Sequence, residues 1–169
     1  WFEFGTFCPV MRMHGCRLPG KEIISRTGEI REWTGAENEI WSYGEDNYQI
    51  MLKFIRIREM MRDYIRSLMQ TAHETGAPVI RPLFYEFPND RDCFDISDAY
   101  MFGPDILVAP ICYKGAQSRR VYLPAGDTFT CAGSGEVFEG GGWIEAEAAL
   151  DTIPIFLRGG KQEYLIHNV

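Results

Sequence analysis

Between Asn47 and Thr75 the apolar residues Ile50, Phe54, Ile57, Met61, Tyr64, Leu68 and Ala72 recur at steps of three and four. That spacing draws one stripe down an α-helix and predicts a single long helix buried along that face. Asp46 with Gln49 forms a candidate N-cap pair, and Gly76 followed by Pro78 supplies the stop. Lys53, Arg56, Arg58, Arg62 and Arg66 fall largely off the stripe and read as a solvated face, ion-paired in part to Glu59 and Asp63. Next comes the bulky run Val79 to Phe87 between prolines, whose lack of alternation predicts a strand covered on both faces, the βα arrangement. A short helix is expected around Ser97 to Met101. From Asp105 onward the texture changes to brief apolar runs cut by Gly and Pro: 106–111, 119–123, 135–139, 142–146 and 152–157. These predict short strands of a sandwich or meander. Upstream, Trp1 to Gly15 predicts a short helix leading into an extended piece, Val10 to His14. Residues 17–44, with four glycines and a proline, predict a long loop, and a loop so far above the usual ~4–6 residues is more often functional than a plain connector. The expected organisation is therefore α/β followed by all-β, with a boundary near residue 105.

Composition narrows the classes. With 169 residues, 46% hydrophobic and 14% aromatic content, the chain can bury a core without disulfide staples, and disorder and collagen-like structure are excluded. A formal charge of −7, with Arg119-Arg120 the adjacent basic pair, argues against a nucleic-acid or anionic-membrane partner. No apolar run approaches the ~18–20 residues of a spanning helix. Cys8, Cys16, Cys93, Cys112 and Cys131 are odd in number and never spaced C-x-x-C, so free thiols and a cytoplasmic location are expected, without a zinc knuckle. The chain opens on Trp1 in amphipathic sequence that reads as mid-domain, with no signal-peptide pattern. A fragment or processed product is the expectation, and an oligomer is compatible with it.

Candidate chemistry is sparse. His73 falls near the C-terminal end of the long helix, where a cation suits the macrodipole. His167 lies in a tail expected to be loosely ordered. His14 ends the extended piece, two residues from Arg12 and just before Gly15 and the long loop; at the C-terminal edge of a strand such a polar group stands where ligands bind in α/β folds. Spacing alone favours a purely structural histidine over a ligand. Glu86, Asp90, Asp92, Asp95, Asp98, Asp105 and Asp151 read as caps and turn residues. No serine sits in a G-x-S-x-G elbow; Gly133-Ser134-Gly135 reads as a hairpin turn, and Gly140-Gly141-Gly142 lacks the Lys-Ser/Thr of a phosphate loop.

The stretch from Trp1 to Gly15, with Cys8-Pro9-Val10-Met11-Arg12-Met13-His14-Gly15 at its end, resembles glycoside hydrolase family 31, the α-glucosidase and α-xylosidase family. Later segments look like that family's signatures in the right order: Glu39 to Gly44, Arg81 to Pro88, Tyr100 to Pro110, Arg120 to Gly126 and Pro154 to Gly160. The resemblance implies that residues 1–105 are the C-terminal segments of a (β/α)8 TIM barrel, ending on the strand Val79 to Phe87, and that residues 106–169 begin a β-sandwich domain. It implies a retaining glycosidase acting on α-linked oligosaccharides or glycosides, in which one Asp attacks the anomeric carbon and another protonates the leaving oxygen. Both aspartates precede this segment in the family, so no residue here is assigned a catalytic role and the fragment alone is expected to be inactive. His14 matches the family's substrate-binding histidine; no metal or cofactor is implied. Two departures stand out: Phe129 to Ala132 replaces a tryptophan-rich strand, and the tail from Lys161 to Val169 loses the family pattern. A non-catalytic carbohydrate-binding or scaffold protein built on the same elements is the rival reading.

Overall fold

A computed structural model describes residues 1–15 and 17–169, the side chains of 18–23 and 30–34 excepted. Six strands build the central sheet in the order β3 (Ile80–Arg81), β4 (Tyr100–Phe102), β5 (Ile106–Val108), β10 (Ile155–Arg158), β7 (Thr128–Cys131), β8 (Val137–Glu139), every pairing antiparallel. Phe156 at its centre stands between Leu107 on one side and Cys131 on the other. A separate ribbon pairs β6 (Ser118–Leu123) with β9 (Gly142–Glu147).

Both faces of this sheet are covered, and the period of two sorts its side chains. Phe102, Ile106, Val108, Ile155 and Leu157 pack with Phe54, Ile57, Met61 and Leu68 of two helices, α2 (Glu45–Met60) and α3 (Arg62–Thr75). Met101, Leu107, Phe129 and Phe156 point the other way, onto Val121, Tyr122 and Leu123 of the ribbon. Coverage on both sides is why Ile106-Leu107-Val108 is apolar without alternation. The sheet takes β3 and β4 from before residue 105 and its other strands from after, so that position lies in the β4–β5 turn. Gly103 makes the turn at φ 64°, and a Cβ there would meet the Tyr64 hydroxyl and come within 2.6 Å of Leu68. Tyr64 uses that closeness: its hydroxyl donates to Phe102 O at 2.8 Å and accepts from Asp105 N.

Several expectations change. The long helix is two helices meeting at Met61, wholly buried at φ −82°, ψ 2°, with no proline or glycine at the break. Hydrogen bonds from Met61 N to Ile57 O and from Ile65 N to Met61 O carry on across it, so the stripe stays in phase. The cap at its start is Gly44 rather than Asp46, and Gln49 bonds Glu45 at 2.6 Å; the stop at left-handed Gly76 is as expected. The run Val79 to Phe87 gives only two strand residues, because Pro82 has no N–H to donate and instead opens a helical turn, α4 (Leu83–Glu86). Its strand pairs antiparallel with β4, and among the described residues it has no parallel partner. A 3-10 turn at Arg91–Phe94, capped by Asp90, and strand β4 replace the helix expected near Ser97.

Residues 17–44 are not a loop: β1 (Arg17–Ile24) and β2 (Ile30–Ala36) form an antiparallel hairpin, closed where Ser25 and Glu29 bond across Gly28, followed by a 3-10 turn at Ile40–Tyr43. The tail is not loose either. Leu165 is fully buried and Val169 nearly so, both in the core under the helices. His167 N donates to Ala132 O at 2.7 Å.

Candidate functional site

His14 lies between helix α1 (Phe2–Thr6) and the hairpin, exposed, in irregular backbone with no ladder partner among the described residues. The extended piece expected from Val10 to His14 therefore forms no paired strand here. What precedes it is firmly held. Arg58 of α2 turns its guanidinium onto the end of α1, donating from Nη1 to Thr6 O at 2.7 Å and to Cys8 O, and from Nη2 to Pro9 O at 2.8 Å. The Tyr100 hydroxyl donates to Phe7 O at 2.8 Å, and Phe7 itself is fully buried. On the far side, Arg17 donates to Ser42 O at 3.2 Å and lies 4.2 Å over the Tyr43 ring, which ties the base of the hairpin to the turn before α2. His14 thus hangs between two anchored points. Nothing in the sequence marked Arg58 for this; it was read as part of the solvated face, and its targets lie about fifty residues away.

The other histidines serve structure. His73 is exposed in the last turn of α3. The His167 ring nitrogen Nδ1 lies 3.2 Å from Gly133 O, a contact made by its Nδ1–H tautomer. Of the candidate carboxylates, Glu86, Asp90, Asp98 and Asp105 accept from the protein's own donors. Glu86 pairs with buried Arg81 and, at 3.3 Å, with Arg158, which also grips Asp127 at 2.7 Å. Asp90 accepts from the Tyr122 hydroxyl at 2.9 Å and from Ala125 N at 2.8 Å. Burial works to raise the Asp90 carboxyl, but bonds from Ala125, Tyr122 and Asp92 outweigh it and hold it below the ordinary range. Asp105 accepts from Gln162 at 2.7 Å. Burial, then the neighbouring Asp90, push the Cys93 thiol up to about 12, which removes it as a nucleophile near neutral pH. Cys8, Cys93, Cys112 and Cys131 are free; Cys16 lies outside the described residues.

An open groove of about 1130 Å³ runs beside α1, walled by Phe2, Glu3 and Phe4, by Ile50 of α2, and by the loops around Gln117 and Ala149. Burial raises the Glu3 carboxyl to about 7, and its Oε1 has no hydrogen-bond partner. His14 is not part of that groove. Among the described residues no three His, Cys, Asp or Glu side chains gather as metal ligands, and no helix is long and apolar enough to cross a membrane.

The model of the glycosyl hydrolase family 31 C-terminal domain matches residues 76–161. The chain is similar to an alpha-xylosidase of Saccharolobus solfataricus, 33% identical over 95% of this chain and 19% of the relative. It is likewise similar to alpha-glucosidase 2 of Bacillus thermoamyloliquefaciens, 35% identical over 95% of this chain and 18% of the relative. A family 31 alpha-xylosidase from a soil metagenome, solved in complex with xylose, shares the fold with a TM-score of 0.93 at 47% identity, covering 98% of this chain and 25% of that one. The chain spans about a fifth of the length of the curated relatives it matches.

Proposed function

The chain belongs to glycosyl hydrolase family 31, and from that premise we propose that it is part of a retaining α-glycosidase cleaving terminal α-xylosidic or α-glucosidic bonds, with xylosides preferred. The observation that carries this reading is the likeness to the soil-metagenome alpha-xylosidase, 47% identical over 98% of the chain. In this proposal the barrel part is residues 1–75 rather than the 1–105 expected from the sequence, because β3 and β4 join the later strands in one sheet, and the six-stranded sheet with its ribbon forms the domain that follows. The nucleophile and the acid come from chain outside these residues, consistent with Glu86, Asp90 and Asp127 being engaged by the protein's own donors. The contribution of this chain to the reaction is His14, whose imidazole bonds a hydroxyl of the sugar being cleaved as the ring flattens toward the oxocarbenium ion.

Aryl α-xyloside and aryl α-glucoside assays on the longer protein that carries this chain test the reading. His14→Ala is expected to lower kcat/KM roughly ten- to a hundredfold, the equivalent of losing one hydrogen bond of about 1.5–3 kcal/mol at the transition state. Because His14 is exposed and packs against nothing in the core, the melting temperature should hardly move. Unchanged kcat/KM with a large drop in melting temperature would refute the role of His14, and the absence of turnover with either glycoside would refute the enzyme. The 169-residue chain by itself is expected to show no turnover above a buffer blank.

A further inference from the structure

We propose that Arg58 and Tyr100 are positioning residues, which act through the backbone of residues 6–9 to set where His14 stands. The inference rests on the reading of His14 given above. One guanidinium meets three carbonyls, Thr6 O, Cys8 O and Pro9 O, where the end of a helix leaves backbone acceptors unpaired. A planar fork with five N–H donors suits this task, whereas an ammonium concentrates its donors at one point. The base of the fork is fixed: Phe54 and Ile57 of the same helix, and Met61 at its end, are buried in the core. From strand β4, the Tyr100 hydroxyl donates to the intervening carbonyl, Phe7 O, while its ring meets Phe4 edge-on at 6.0 Å.

Between Pro9 and His14 the described contacts are slight. Thr6 Oγ1 lies 3.9 Å from Met11 Sδ, while Val10 and Met13 are exposed. The clamp is thus the last strong fixed point before the imidazole, and a shift there passes down a short tether. A misplacement of about 1 Å in a catalytic arrangement is enough to cost on the order of a hundredfold in rate.

The test uses the longer protein with the variants Arg58→Gln, Arg58→Lys and Tyr100→Phe, each alone and with His14→Ala. Arg58→Gln should lower kcat/KM by roughly ten- to a hundredfold, Arg58→Lys by less, and Tyr100→Phe by about fivefold, the loss of one neutral hydrogen bond. If these residues act through His14, their effects should largely vanish in the His14→Ala background. Hydrogen exchange supplies a readout that needs no turnover: in Arg58→Gln the peptide covering residues 1–15 should exchange faster while residues 62–75 keep their protection. Full additivity with His14→Ala would overturn the proposal. So would unchanged exchange over residues 1–15, or a uniform loss of protection with a matching fall in melting temperature. If His14→Ala itself leaves turnover unchanged, it is the reading of His14 that fails, and the proposal falls with it even where exchange shows that Arg58 holds the segment.

Discussion

The six-stranded sheet and the segment from Trp1 to Gly15 are held by different physics. In the sheet the central strands β4, β5 and β10 are covered on both faces, and the charged groups beneath it close on one another: Arg81 and Arg158 share Glu86, and Arg158 takes Asp127 as well. In the first fifteen residues Thr6 and Phe7 alone are buried, Val10 is 74% exposed, and the order comes from side chains of other elements reaching in to bond the backbone. Glu3 Oε1, the one buried side-chain oxygen without a partner among the described residues, is also found here. Stability and site are thus separated: a self-satisfied core carries the fold, and a tethered segment at its margin carries the candidate histidine.

Substitutions should divide along the same line. Phe102→Ala removes a fully buried ring shared by the sheet and α3, and is expected to cost about 4 kcal/mol. A urea midpoint almost unmoved by it would mean the sheet is not where stability resides. Glu86→Gln leaves Arg81, 7% exposed, facing a neutral amide, and should cost about 3 kcal/mol. Its mark is that the loss should persist in high salt, since buried pairs are poorly screened.

Asp90→Asn should cost about 2 kcal/mol at pH 7, through weakened bonds to Tyr122 and Ala125. Because the folded carboxyl titrates below its ordinary 3.8, its stabilisation is fully present above that value and disappears as pH falls through the folded pKa. The wild-type and Asn midpoints should therefore converge in acid; a constant gap from pH 7 to pH 2 would show that the contribution is steric. Glu3→Gln, in the tethered segment, is the smallest effect and has the opposite sign. The carboxyl is raised from 4.5 to about 7, so the stability it lends to the protonated fold is whole below 4.5 and lost as pH rises through 7. Gln should match the wild type at pH 4 and exceed it at pH 8 by no more than ~1 kcal/mol, since Glu3 is half in solvent. A Gln variant that is less stable at pH 8 would mean that the Glu3 carboxylate has a partner after all.

Periodicity and punctuation were readable in the chain alone. The stripe from Ile50 to Ala72 marked the buried helix faces, Gly76 the stop, the apolar runs at 106–111 and 152–157 the neighbourhoods of the covered strands β5 and β10, and the Gly133-Ser134-Gly135 cluster the turn between β7 and β8. Those signals are local, because whether a residue faces inward depends on its own element's period. Which partner it meets is a question of distant chain, and there the tertiary structure decided. The hairpin of residues 17–36 had no alternation to betray it, and the strand from Val79 was shortened by a proline whose missing donor matters only once β4 lies alongside. Leu165 looked like an ordinary tail residue until the core closed over it. Arg58 was one base among several on a helix; it became a clamp because the fold brings Thr6, Cys8 and Pro9, some fifty residues earlier, under its guanidinium. A contact at that separation leaves no period in the sequence, since only chain closure in three dimensions creates it.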